Sequence, residues 1–333
     1  MLKFLVITVL LAGTGFGRVQ TSFNPALYFR LEKTDDSAAG FNLMGSELVI
    51  SATLADDNRD IMSLVIQSYV WGTMQGWAKA MHYGNAYVVF PLGLGKPNIK
   101  LGQQVLPFGL LTEYDSHDKI FQPLFTRTLG LRIDAGASVF GILGPVDYWY
   151  MVSNGRGPNL MDGDNNKLQT GRIALRRPGD FADVKGGLSL LRGRLPQFSM
   201  DPLADMMAEP DSFVLKNRIG LDLEMSSPFF TLRAEATGGK NGSIESLDDL
   251  SRRGIGGFYA EMSVPLVYGT EAIGMYARYK PVLNGSHKYE AYGLGIRLVP
   301  PALTVLAVEI VGYRSMEHGA AQLHLAGQVG VRL

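Results

Sequence analysis

Hydrophobic and polar residues alternate with a period of two along much of the chain. In the last thirteen residues, Ala321 to Leu333, the odd positions are apolar or glycine and most even positions are polar. This alternation gives a β-strand one apolar and one polar face. Similar segments recur at 213–225, 230–237 and 256–266. These segments have 13, 8 and 11 residues. A tilted strand needs about 9–11 residues to cross a membrane, so their lengths are close to that value.

The alternation and the turn signals predict sixteen strands. Their predicted bounds are 24–32, 47–55, 61–71, 76–92, 97–105, 130–140, 146–153, 168–176, 184–194, 213–225, 228–238, 254–265, 270–280, 288–298, 303–313 and 320–333. The segments 184–194 and 303–313 alternate poorly, so the count is uncertain by two. An even count leaves both ends of the chain on one side of the membrane, as in bacterial barrels of this kind.

The connections between these strands alternate in length. Short turns are predicted at 56–60, 93–97, 141–145, 177–183, 226–228, 266–269 and 299–302. Longer links are predicted at 33–46, 106–129, 154–167, 195–212, 239–253, 281–287 and 315–319, with one tight exception at 72–75. Short turns at one end and long loops at the other are typical of outer-membrane barrels. The fold class is therefore all-β: a transmembrane antiparallel up-and-down barrel of about 16 strands (14–18).

The first seventeen residues predict an export signal. Lys3 precedes an apolar run from Phe4 to Leu11, and small residues follow at Gly15 and Gly17. Cleavage is expected near Gly17–Arg18. Two regions are therefore predicted, a signal peptide at 1–17 and a single barrel domain at 18–333.

Composition narrows the functions that this barrel could have. The chain has no cysteine, which excludes thiolate metal sites and thiol nucleophiles, and we expect no cofactor. Its 31 basic and 31 acidic residues balance, so charge does not favour nucleic-acid binding. Forty glycines and fourteen tyrosines suit tilted strands and membrane-interface belts. Aromatic residues near predicted strand ends favour such belts: Tyr148, Trp149, Tyr150, Phe229, Phe230, Tyr279, Tyr289 and Tyr292.

Charged residues occur on the predicted inward faces, where they would meet water rather than lipid. The basic candidates are Lys100, Arg132, Arg172, Arg176, Lys216, Arg218, Arg233, Arg278 and Arg297. The acidic candidates are Asp134, Asp147, Asp222, Glu224, Glu235 and Glu261. Rings of such side chains tune ion selectivity, although any one of them could equally form an intralumenal salt bridge.

The predicted loop 106–129 is half apolar and carries Glu113, Asp115, His117 and Asp118. Folded into the lumen, it would pack its apolar side on the wall and present its carboxylates to a pore constriction. A loop that only braces or plugs the barrel is the alternative.

One stretch of about sixty residues resembles a known family. The residues Gly102, Pro107, Phe108 and Gly109, followed by Asn154 and Gly155, match a pattern found in the phosphate-selective porin O and P family. The resemblance implies a sixteen-stranded, trimeric channel whose third loop narrows the pore. The mixed lumen charges and the acidic loop here differ from the arginine ladder and lysine cluster of phosphate-selective members.

The predicted function is passive diffusion of small hydrophilic solutes or ions through an outer-membrane porin, without enzymatic activity. Expected partners are outer-membrane lipid, two further copies in a homotrimer, and the barrel-assembly machinery at the C-terminal strand, but not nucleic acid. One alternative is a non-conducting barrel that sheathes or anchors a periplasmic or lipoprotein partner, such as a cytochrome.

A second alternative is a lipid-modifying barrel enzyme, which requires a serine or threonine beside a histidine on the lipid face. The segment Asp162–Lys167 resembles the start of a calcium loop but lacks the later glutamate.

Overall fold

Sixteen antiparallel strands form a closed barrel in the computed structural model of the chain. The structure describes residues 18–35, 40–56, 59–73, 81–93, 95–112, 119–158, 165–197, 212–242, 254–267, 269–281, 288–299, 306–317 and 320–332. The predicted signal peptide 1–17 lies outside these residues. No helix in the described ranges is both long and apolar enough to span a membrane.

The strands follow one another around the barrel in sequence order. They are β1 (Arg18–Thr34), β2 (Gly40–Ala55), β3 (Asp60–Thr73), β4 (Met81–Pro91), β5 (Asn98–Val105), β6 (Ile133–Leu143), β7 (Val146–Ser153), β8 (Leu168–Arg177), β9 (Asp183–Gln197), β10 (Ser212–Ser226), β11 (Thr231–Gly242), β12 (Gly254–Pro265), β13 (Thr270–Pro281), β14 (Tyr289–Leu298), β15 (Leu306–Glu317) and β16 (Ala320–Arg332). Between β5 and β6 lie a 3-10 turn, Gly109–Thr112, and one helical turn, α1 (Phe125–Thr128).

Pairing of the first and last strands closes the barrel. β1 and β16 are antiparallel, with Phe29 opposite Val329 and Arg30 opposite Gln328. Every other strand pairs with its two neighbours in the chain, so the described sheet has no free edge. This confirms the predicted up-and-down barrel of sixteen strands.

The two faces of the sheet differ as the alternation predicts. On β16, Leu323 and Leu325 are 55% and 58% exposed on the outward face. Ala326 and Gln328 point inward and are buried. The outward face of most strands carries large exposed hydrophobic side chains, which suits contact with lipid acyl chains.

The predicted connection 315–319 is wrong in its first part, because β15 continues to Glu317 and β16 begins at Ala320. The described part of β15 begins at Leu306, and residues 300–305, which include the predicted start of this strand at 303, lie outside the described residues. The alternation is weak there because Val311 and Tyr313 face inward and pack against Phe121 of the 106–129 loop. An apolar contact inside the barrel thus hides the period-two signal.

Other boundaries also differ from the prediction. The tight link expected at 72–75 is wrong in its first half, because β3 continues through Gly72 to Thr73. The described part of β4 begins at Met81, and residues 74–80, which include its predicted start at 76, lie outside the described part of the chain. β6 runs on to Leu143, which leaves a two-residue turn at Gly144 and Pro145.

Candidate functional site

The segment between β5 and β6 packs against the inward faces of the wall strands. Its described parts are 106–112 and 119–132. Its apolar side chains are almost completely buried: Leu106, Phe108, Leu110, Leu111, Ile120, Phe121, Leu124, Phe125 and Leu129. One cluster packs on inward residues of β7–β9, namely Met151, Leu168, Leu191 and Leu195. A second group packs on β13, β15 and β16. We call this segment, 106–132, the inner loop.

Glycines permit the inner loop to turn inward. Gly109 has a φ of +52°, a conformation that glycine adopts without strain, and an added Cβ would collide with the Glu235 carboxylate. Next to it, the Phe108 ring lies over Gly220, where an added Cβ would approach the ring to 2.7 Å. The sequence Pro107-Phe108-Gly109 therefore encodes a close approach of the loop to the wall.

Carboxylates on the wall hold the loop by its backbone. The N–H of Leu110 donates to Glu235 Oε2 at 2.9 Å, and the N–H of Ile120 donates to Glu309 Oε1 at 3.0 Å. The Lys119 ammonium lies 2.8 Å from Glu261 Oε1. Hydrogen bonds to ionised acceptors are stronger than neutral ones, so these contacts fix the loop position firmly.

Two of the predicted basic wall residues bind the end of the loop. Lys216 Nζ donates to the Leu129 carbonyl at 2.8 Å, and Arg218 Nε donates to the Thr128 carbonyl at 2.6 Å. Both side chains are buried, at 6% and 4% residue exposure. They face inward as predicted, but they contact the carbonyls at the end of α1 and have little contact with a water-filled pore.

Three other predicted inward basic residues, Arg172, Arg176 and Arg233, have carboxylate partners. Arg172 donates through Nε to Asp222 Oδ2 at 3.0 Å, and both residues are buried. Further ion pairs join Arg176 to Asp147 at 2.5 Å and Arg233 to Glu224 at 2.7 Å. Each of these three positive charges is therefore compensated by a neighbouring carboxylate.

The remaining inward basic residues have varied surroundings. Lys100 Nζ lies 4.5, 5.1 and 4.3 Å from the ring centroids of Tyr87, Phe140 and Trp149, respectively. Such contacts stabilise a partly desolvated cation. Arg297 lies directly opposite Glu309 in the register of β14 and β15. The carbonyl of Arg132, just before β6, accepts the Leu106 N–H.

The prediction for Arg278 is wrong, because this residue faces outward. Its neighbour Ala277 lies opposite Tyr259, and both are buried inside the barrel, whereas Arg278 lies opposite the outward Phe258. On β13 the apolar residues Ile273, Met275 and Ala277 face inward and contact the inner loop or residues packed with it. The expected polarity of the two faces is inverted there.

Several predicted residues lie outside the described part of the chain. These are Glu113, Asp115, His117 and Asp118 of the predicted constriction, and Asp162 and Asp164 of the calcium-like segment. Among the described residues, no cluster of histidine, aspartate or glutamate could hold a metal ion.

A row of uncharged polar side chains lines the inward face of β1–β3. We call Ser22, Asn24, Ser51, Thr53, Ser63 and Gln67 the hydroxyl-amide wall; all six are exposed or half-exposed. Ser22 and Ser51 share a hydrogen bond of 2.7 Å, and Thr53 and Ser63 one of 3.0 Å. The charged positions alone do not reveal this wall, but alternating Ser, Thr, Asn and Gln in the sequence of β1–β3 indicate it.

A serine and a histidine do meet on β15 and β16. Ser315 Oγ lies 2.8 Å from His324 Nε2, and the Tyr313 ring stacks on the imidazole with centroids 4.3 Å apart. No hydrogen bond joins His324 to a carboxylate among the described residues. The pair faces the lumen instead of lipid, so it lacks the orientation that the enzyme alternative requires.

Solved structures of outer-membrane porins share this architecture. An anion-selective porin from Comamonas acidovorans matches with a TM-score of 0.73 and 13% identity, covering 95% of this chain and 100% of that one. The trimer form of OmpT from Vibrio cholerae has a TM-score of 0.68 and 10% identity, covering 95% and 99%. The channel DcaP of Acinetobacter baumannii has a TM-score of 0.66 and 11% identity, covering 96% and 99%.

These comparisons establish the fold as that of the outer-membrane porins. No protein-family model matches the chain, and no curated protein does. The narrower resemblance to the phosphate-selective O and P family therefore stays a prediction.

Proposed function

We propose that this chain is an outer-membrane porin through which small hydrophilic solutes diffuse passively. The observation that carries the proposal is the asymmetry of the barrel interior. The inner loop contacts described above lie mainly on β7–β16, where inward residues such as Ser189 and Glu235 are buried. The side chains of the hydroxyl-amide wall, on the other side, are exposed or half-exposed. A water-filled passage would follow this wall.

The inner loop would set the width of that passage. Its anchors on Glu235, Glu261 and Glu309 are distributed over three strands, which would keep it from moving as solutes pass. The predicted constriction residues Glu113, Asp115, His117 and Asp118 would line the other side of the passage. The hydroxyl and amide groups of the wall would replace water around a polar solute.

The location and assembly state follow from the same proposal. Residues 1–17 would direct export and be removed near Arg18, and the mature barrel would sit in the outer membrane. A homotrimer would match the trimer form recorded for one structural relative. The intact mass of protein isolated from outer membranes tests the location and the removal of residues 1–17. Its size by light scattering in detergent tests the homotrimer.

Single-channel recording in planar bilayers tests the channel itself. Refolded protein should produce ohmic conductance steps, and liposomes containing it should swell in small sugars. Deleting 113–118 should enlarge the steps, because the segment would no longer narrow the lumen. Folded protein, verified by heat-dependent gel migration, that gives no steps would contradict the proposal and favour a filled or sheathing barrel.

A further inference from the structure

Two arginines and two tyrosines interrupt the apolar outward face of the barrel. We propose that they bind the phosphate-bearing headgroup of a membrane lipid with net negative charge, whose acyl chain lies in an apolar groove beneath them. The headgroup site consists of Tyr276, Arg278, Tyr292 and Arg314, on β13, β14 and β15. This site is separate from the lumen and does not depend on conduction through it.

Strand register places the four residues together. Tyr276 lies opposite Tyr292, and Tyr292 lies opposite Arg314 on the next strand. One row closer to the strand ends, Arg278 lies opposite Glu290. The same face includes Phe258 and Leu294, which are 41% and 75% exposed, so the group is on the outside of the barrel.

Charge and hydrogen bonding define what the site can bind. Glu290 Oε1 accepts a hydrogen bond from the Tyr276 hydroxyl at 3.0 Å, and Arg278 lies beside that hydroxyl. Arg278 and Arg314 are both exposed, and together they outnumber the single facing carboxylate. Guanidinium groups bind phosphate oxygens through paired donors, and tyrosine hydroxyls add further donors.

A cation on the lipid-facing surface is costly unless it lies near the headgroups or has a partner. Arg278 is three residues from the end of β13, and Arg314 three residues from the end of β15, both at the same end of the barrel. This is where lipid headgroups meet the barrel. An anionic headgroup would compensate the two charges.

An apolar groove begins one row below the headgroup site. Gly312 lies opposite Leu294, and an added Cβ on Gly312 would meet nothing within 4 Å, which leaves a gap beside the Leu294 side chain. The groove continues between β14 and β15, lined by Leu294, Ile296, Leu298, Val308 and Ile310. From Tyr292 to Leu298 the strand rises about 20 Å, or about 15 Å of height at a 40° tilt, close to the depth of one leaflet.

The experiment measures lipid retention by native mass spectrometry of the full-length protein in detergent. It is offered bisphosphorylated lipid A, phosphatidylglycerol or phosphatidylcholine, with and without excess inorganic phosphate. The wild type should retain the two phosphorylated anionic lipids over the zwitterionic one, and inorganic phosphate should not displace them. Equal retention of all lipids, or displacement by phosphate alone, would overturn the proposal.

Variants separate the headgroup site from the groove. R278Q/R314Q should lower retention of anionic lipids at least about tenfold, because it removes the charge-assisted hydrogen bonds. R176Q/K185Q, which removes two inward cations at the other end of the barrel, should leave retention unchanged. G312L should weaken retention of long-chain lipids more than of short-chain ones.

R278Q/R314Q and G312L should keep wild-type conductance, which distinguishes failure of this proposal from failure of the channel proposal. Unchanged lipid retention in R278Q/R314Q would refute the headgroup site. Loss of oligomers in G312L, with lipid retention intact, would instead show that this face joins two copies of the chain.

Discussion

The backbone N–H of Leu110 donates a 2.9 Å hydrogen bond to Glu235, a residue 125 positions later in the chain. Glu235 also accepts a hydrogen bond from Thr237 at 3.1 Å and is 5% exposed. Its carboxylate therefore acts as a fixed acceptor for the loop and contributes little charge to the passage. The same holds for Glu309, which accepts the Ile120 N–H.

Replacing Gly109 by alanine should displace the inner loop. A left-handed backbone costs a residue with a Cβ about 1–2 kcal/mol, and the new methyl would also collide with Glu235. We expect a lower thermal midpoint and a larger or noisier single-channel conductance. Gly327→Ala is the matched control, because an added Cβ there meets nothing within 4 Å. Identical behaviour of the two variants would show that Gly109 does not position the loop.

Removing the positive charge should affect stability at one inward arginine and ion selectivity at another. Arg218→Gln should lower stability and leave ion selectivity almost unchanged, because its guanidinium is buried against the Thr128 carbonyl. Arg176→Gln should shift the reversal potential in a salt gradient, because its side chain is 53% exposed. The thermal midpoint and the reversal potential are measured for both variants. A large selectivity change in Arg218→Gln would refute this division of roles.

Asp134 should stabilise the connection that follows β7. Its carboxylate accepts hydrogen bonds from the N–H groups of Gly155, at 2.5 Å, and Gly157, at 3.2 Å. Bonds to an ionised acceptor contribute about 1.5–3 kcal/mol each, so Asp134→Asn should lower the free energy of unfolding by about 2–3 kcal/mol. Denaturant titration in detergent measures it. Asp183→Asn, at an exposed turn with a single N–H contact from Gly179, should change it much less.

Removing one partner of the Arg172–Asp222 ion pair should lower stability strongly, whereas replacing both residues by apolar ones should not. Asp222→Asn would leave a buried guanidinium without its counter-charge, which costs about 3–5 kcal/mol. The double variant Arg172→Met with Asp222→Leu should recover most of that loss, because no buried charge remains. Thermal midpoints of the single and double variants decide the point; a double variant less stable than the single would contradict it.

Period-two alternation was enough to predict sixteen strands, because most strands face lipid on the outside of the barrel and water on the inside. It failed where the inner loop replaces water. Ile273 and Met275 face inward because they pack near Ile120 and Phe121. The period-two pattern therefore wrongly places the outward Arg278 in the lumen. The roles of Lys216 and Arg218 depend on carbonyls about ninety residues away, and no local pattern reports such a distance.

Arg30 connects the barrel seam to the inner loop, and this orders the steps of biogenesis. Its Nε donates to Gln328 on the last strand at 2.8 Å, across 298 positions, and its Nη2 donates to the Lys119 carbonyl at 3.3 Å. The last strand is synthesised long after the loop, so this triple junction can form only when the whole chain has been delivered and its ends have joined. Until then the sheet would have two free edges. Pairing of the first and last strands would therefore also set the final width of the pore.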